Sequence, residues 1–154
     1  MEIDVEKRVE QAVAFFKEGY NCSQSVVLAY ADLFGLEQNF AAVVSAAFGG
    51  GMGRLREVCG AVSGMMMIAG LKYPVSDPAD RASKAKLYAV EQGLAGVFSE
   101  MNGSIVCREL LGLNHTKDDP MPAERTAAYY RKRPCAEYVG AAARIIGERL
   151  AAGE

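Results

Sequence analysis

Four cysteines, Cys22, Cys59, Cys107 and Cys135, are the residues of this 154-residue chain with the most chemistry to offer. A thiolate is both the nucleophile of disulfide exchange and a ligand for soft metals. The intervals between them, 37, 48 and 28 residues, match neither the paired CxxC of a zinc ribbon nor the clustered run of a bacterial ferredoxin. No local loop can gather them, so a shared site has to be assembled by tertiary folding. The competing reading is four buried thiols acting as small apolar side chains in a core. With one histidine, His115, in a polar loop, little imidazole is available and the chemistry must come from sulfur.

The elements that would position these sulfurs read as helices throughout. Val5, Val9, Ala12, Val13 and Phe16 recur at three- and four-residue intervals and predict a first helix ended by Gly19. Asn21 is placed to cap a second from Cys22 to Phe34, closed by Gly35, and a third starts near Glu37. Residues 58–73 are apolar nearly all round, as in a helix enclosed by others. Asp77 is expected to cap a long helix from about Ala79 to Met101, with Lys84, Lys86 and Glu91 on its wet side and Asn102-Gly103 as its stop. Ser104 is expected to cap a short helix holding Cys107, and a polar loop runs from His115 to Pro122. Another helical turn or two follows between Ala123 and Arg131, and Pro134 opens the last helix. No segment alternates with the period of a strand. The expected fold is an all-α, single-domain bundle of about five to seven helices over residues 1–154.

Placed on these elements, each cysteine falls in the first turn of a helix. There the unpaired backbone N–H groups and the helix dipole favour negative charge, which predicts thiol pKa values below the ordinary range near 8.5. Before Cys59 runs Gly49-Gly50-Gly51-Met52-Gly53, a stretch free to adopt backbone that other residues avoid. It lacks the Gly-Lys-Ser/Thr ending of a phosphate-binding loop and no strand precedes it, so its expected role is close backbone approach to the cysteine site. Gly60 and Gly64, on one face of the following helix, would let a second helix or a cofactor come near; with Gly49, Gly50, Gly51 and Gly53 they form the expected cofactor-side glycines. Arg54, Arg56 and Glu57 lie close to Cys59, and Arg131-Lys132-Arg133 precedes Cys135, where positive charge favours a thiolate or docks an acidic redox partner. Met52, Met65, Met66 and Met67 could offer thioethers to copper but read better as core filling, and Tyr129 and Tyr130 read as core or interface aromatics.

Composition narrows the partners. Seventeen basic and nineteen acidic residues leave a net charge of -2, without the basic surface that nucleic-acid binding requires. The longest apolar stretch, residues 58–71, falls short of the roughly 20 residues that span a bilayer, so no membrane insertion is expected. The charged N-terminus does not resemble a signal peptide, and a cytoplasmic location follows as the expectation, in which cysteines are thiols, ligands or redox groups more often than structural disulfides.

At Cys59-Gly60-Ala61-Val62-Ser63-Gly64 the chain resembles the C_GCAxxG_C_C family, whose members carry one cysteine ahead of a Cys-Gly-Ala-x-x-Gly element and two behind it. Cys22, Cys59, Cys107 and Cys135 fill those places in order, and the likeness extends to Asn21-Cys22-Ser23-Gln24 and to the glycines from Gly49 to Gly53. What the resemblance implies is a redox role inferred from the cysteines, with no defined reaction. The pattern is also similar to the non-haem part of split-Soret cytochromes, which implies an iron–sulfur centre; the chain has no Cys-x-x-Cys-His, so haem is not implied.

Three functions follow for test. In the first, the four cysteines hold an iron–sulfur cluster or zinc and the protein passes electrons to an unidentified redox partner protein, with homodimer formation left open. In the second, the cysteines are redox thiols of an oxidoreductase that form and break disulfides with no cofactor. In the third, the chain is a helical interaction module with incidental buried thiols. The first is preferred, because cysteines arriving singly make better corners of a cage than an exchange pair.

Overall fold

A computed structural model describes residues 2–154. Among these the chain forms eight right-handed α-helices and no strand: α1 (Val5–Glu18), α2 (Cys22–Tyr30), α3 (Gln38–Ser45), α4 (Gly60–Lys72), α5 (Arg81–Asn102), α6 (Cys107–Leu110), α7 (Ala127–Lys132) and α8 (Cys135–Ala152). The all-α class stands, while the expected count of five to seven is one too low. The two shortest, α6 and α7, of four and six residues, lie where a short helix and a helical turn or two were expected, and counting both as full helices brings the total to eight.

Helices α2, α4 and α8 form the centre, with α1 laid against α2 and α8, and α5 against α4 and α8. Val26, Val27 and Tyr30 of α2 meet Val62, Met65 and Ile68 of α4 and Val139, Ala142 and Ile146 of α8, all removed from water. The Tyr30 hydroxyl, buried with them, donates to the Ala143 carbonyl at 2.6 Å, which satisfies the one polar atom this ring brings into the core. Met65 fills core space and Met66 and Met67 pack against it, whereas Met52 is exposed at the glycine turn; the filling role holds for the first three.

Helix boundaries follow local chemistry. Asp4 caps α1 through the Lys7 N–H and Gly19, at φ 118°, ends it. Asn21 and Gln24 form a reciprocal capping box at α2. The same two side chains reach outward: Asn21 Nδ2 donates to the Ala46 carbonyl and Gln24 Nε2 to that of Ala42, both at 2.9 Å, so one motif starts α2 and ties it to α3 and the turn behind it. Two caps differ from expectation by a few residues. Asp80, not Asp77, caps α5, because Asp77 is spent on the Ala79 N–H in the preceding turn. The Ser104 hydroxyl accepts from Val106 N–H and the helix begins only at Cys107. On α5, Lys86 is exposed but Lys84 and Glu91 are half-buried rather than on the wet side.

Candidate functional site

Three of the cysteines are the first residues of their helices: Cys22 of α2, Cys107 of α6 and Cys135 of α8. Cys59 is the residue that caps α4. The structure brings all four together at the lining of one cavity of about 420 Å³. All are free thiols, Cys59 and Cys107 buried and Cys22 and Cys135 half-buried.

Backbone pairing explains how partners so far apart in sequence meet. A single antiparallel bridge joins Val58 to Val106, with Cys59 N–H on the Ile105 carbonyl at 2.8 Å and Cys107 N–H on the Glu57 carbonyl at 2.6 Å. Cys59 and Cys107 are thus fixed to each other through main chain. The Tyr138 hydroxyl, one turn beyond Cys135, donates to the Leu110 carbonyl at 3.1 Å and draws the start of α8 towards α6. Cys22 is held by close approach: a Cβ added at Gly60 would collide with the Cys22 sulfur and with the Phe48 carbonyl oxygen at 2.8 Å, and one at Gly64 with the Ser23 carbonyl oxygen at 2.8 Å. Gly60 and Gly64 therefore let α2 and α4 touch, the helix-approach half of their expected role. Ser23, sealed between them, has a hydroxyl with no hydrogen-bond partner.

The glycine-rich segment is a left-handed turn. Gly50, Gly51, Met52, Gly53 and Arg54 have consecutive positive φ values, and Arg56 a φ of 60°. Such backbone costs a residue with a Cβ about 1–2 kcal/mol, so this segment stores strain at Met52, Arg54 and Arg56. What the strain secures is position: the Gly50 N–H donates to the Cys22 sulfur, and a Cβ at Gly51 would stand 2.7 Å from that of Cys107. Gly49, Gly50, Gly53 and Gly60 line the cavity, while Gly51 and Gly64 act behind its wall.

A second arrangement ends on sulfur. Arg56, 4% exposed, extends Nη1 to 3.6 Å from the Cys107 sulfur and places Nε 2.7 Å from the Asp118 carboxylate. Asp118 is in turn 2.7 Å from Nε2 of exposed His115. His115 is the surface residue expected of it, but it also terminates this chain of contacts. The arginine nearest a sulfur is Arg56 on Cys107, not on its sequence neighbour Cys59, since the bridge at Val58 and Val106 carries Cys107 across. Tyr129 and Tyr130 stack edge-on at 5.4 Å beside the core, as expected of aromatics there.

The expected lowering of the thiol pKa values is overturned for three cysteines. Helix-start N–H groups do point at sulfur, from Ala61 and Val62 to Cys59 and from Ser23 to Cys22, and the Gly50 N–H of the left-handed turn joins them at Cys22. Removal from water outweighs them, and burial pushes the Cys22 and Cys59 thiols up. The Cys135 thiol is pushed up to about 12 by burial and by the neighbouring Cys22 and Cys107, with Arg133 and Arg56 acting weakly against it. These positions suit sulfur that is neutral when alone and becomes anionic on binding a cation.

Among the described residues no three His, Cys, Asp or Glu stand close enough to hold a single metal ion, and no helix is long and apolar enough to cross a membrane. The Val58–Val106 bridge and the Arg56–Asp118 pair, which complete this site, left no mark in periodicity or motif; only the charge of Arg56 near Cys59 hinted at the latter. No curated protein and no solved structure matches the chain. A family profile described as "Putative redox-active protein (C_GCAxxG_C_C)" matches residues 20–149, which spans all four cysteines, the glycine turn and the core helices, and the chain belongs to that family.

Proposed function

We infer that the protein is an electron-transfer protein whose Cys22, Cys59, Cys107 and Cys135 hold an iron–sulfur cluster, with an unidentified redox protein as its partner. The observation that carries this reading is the convergence of four helix starts, each bearing one cysteine, on a single cavity. Such a centre supplies one-electron transfer. The chain's own contribution is to hold the sulfurs apart at fixed corners, to direct the Gly50, Ala61 and Val62 N–H groups at them, and to place the Arg56 guanidinium on Cys107. N–H donors and positive charge stabilise the more reduced, more negative state and raise its potential. Four free thiols suit a reducing compartment such as the cytoplasm. Zinc is the less favoured occupant, because the sulfurs do not close around one point.

Reversible disulfide exchange is the second reading, supported by the closeness of Cys22 to both Cys59 and Cys135, whose thiols each respond to its charge. Raised thiol pKa values count against it, since exchange needs a thiolate.

The test is anaerobic reconstitution with ferrous iron and sulfide. The expected result is broad visible absorption with iron and sulfide bound in stoichiometric amounts, lost in Cys59→Ser while its helical circular dichroism is retained. A wild-type chain that retains no iron and converts four thiols into two disulfides under mild oxidant would overturn the cluster and establish exchange.

A further inference from the structure

The cysteine cavity carries more positive charge than its sulfurs account for. Arg54, Arg56, Arg125 and Arg133 all line it, and no Asp or Glu does. Arg56 is committed to Asp118 and Cys107. The other three have no carboxylate partner among the described residues. Arg54 gives Nε to the Asp119 carbonyl. Arg125 is fixed more firmly, giving one guanidinium nitrogen to the Phe16 carbonyl and another to that of Tyr20 at 2.8 Å, with its plane 4.1 Å over the Phe16 ring. The Arg133 side chain, half-buried, makes neither an ion pair nor a hydrogen bond.

Half-buried guanidiniums without carboxylates are costly to keep unless something anionic comes to them. Between them the wall is apolar, formed by Phe16, Leu110, Leu111, Pro120, Pro122 and Tyr129. A volume of about 420 Å³ lies in the range of small-molecule sites, which combine an apolar lining with a few fixed polar groups.

We propose that the arginine wall of this cavity binds a small molecule with an apolar body and an oxyanion group (carboxylate, sulfonate or phosphate), next to the four cysteines. Binding itself requires no metal; only the ligand's standing as a partner of the redox centre rests on the reading given above. Arg133 and Arg54 supply charge for the oxyanion, Arg125 supplies a rigid cationic edge, and the prolines and leucines take the apolar body.

The test uses 8-anilinonaphthalene-1-sulfonate, an apolar sulfonate, and its uncharged counterpart N-phenyl-1-naphthylamine, titrated by fluorescence into the folded full chain with and without reconstituted iron. The sulfonate is expected to bind one per chain in both forms, to weaken at least fivefold in Arg133→Gln and to recover in Arg133→Lys; the neutral compound is expected to be indifferent to both changes. Equal binding of the two probes with no response to Arg133→Gln, or no binding of the sulfonate by the folded chain, would overturn the proposal. A chain that binds the sulfonate as described yet takes up no iron would uphold it while removing the cluster.

Discussion

The two ends of the α2–α4–α8 trio follow opposite rules. Away from the cavity, Tyr30 packs on Ala143 and Gly147, apolar side chains close around it, and the hydroxyl is satisfied. At the cavity end the same three helices begin, and there the chain accepts what a stable core avoids: a left-handed turn with three residues that carry a Cβ, a buried arginine, an unpartnered Ser23 hydroxyl, and free thiols beside guanidiniums. One end stores stability and the other gives some of it up to fix chemical groups in place.

The contrast can be sharpened first through the thiols. With the Cys135 thiol pushed up to about 12 by burial, its thiolate fraction near pH 8 is far lower in the folded than in the unfolded chain. Alkylation of metal-free protein, followed by mass spectrometry, should therefore label Cys135 far more slowly in the native state than in denaturant, and the native rate should keep climbing with pH up to the alkaline limit of folding. Equal rates in the two states would place that sulfur in water. Next come two glycines in two helices. Gly60→Ala forces a Cβ onto the Cys22 sulfur and the Phe48 carbonyl and should cost about 1–3 kcal/mol, with loss of iron uptake. Gly93→Ala, in the middle of α5 with nothing within 4 Å, should stabilise by roughly 0.8–1 kcal/mol and leave uptake unchanged. Denaturant titration of both variants checks the signs, and a neutral Gly60→Ala would deny the close approach of α2 and α4.

The smallest effect concerns Asp118. Arg56, and after it His115, hold the Asp118 carboxyl below the usual carboxylate range. A carboxyl with a depressed folded-state pKa contributes stability that is complete above its unfolded value and is lost as pH falls through the folded one. Asp118→Asn should therefore lower stability slightly near neutrality, shallow the acid side of the stability profile and leave the two chains alike at the acid end. Unchanged unfolding between about pH 5 and pH 2 would show that the pair contributes nothing.

Much of this was legible in the residues themselves. Gly19 ended α1, Asn21 announced α2, Pro134 opened α8, and the even apolarity of residues 58–73 marked α4 as central, because caps and periodicity are local properties. The placement of every cysteine at a helix start was legible for the same reason. What the residues did not disclose depends on distant partners. Cys59 meets Cys107 through a bridge one residue pair long, too short to leave an alternating pattern, and Arg56 is turned towards Cys107 by a positive φ that no propensity favours. The direction of the thiol pKa values was missed because helix-start N–H groups are visible in a sequence, whereas depth of burial is a property of the assembled helices.

If the four sulfurs, and only they, form one centre, X-ray absorption fine structure at the iron edge of the anaerobically reconstituted protein should show a first coordination shell made of sulfur alone. Oxygen or nitrogen neighbours in that shell, contributed by a carboxylate or by His115 in place of a cysteine, would contradict it.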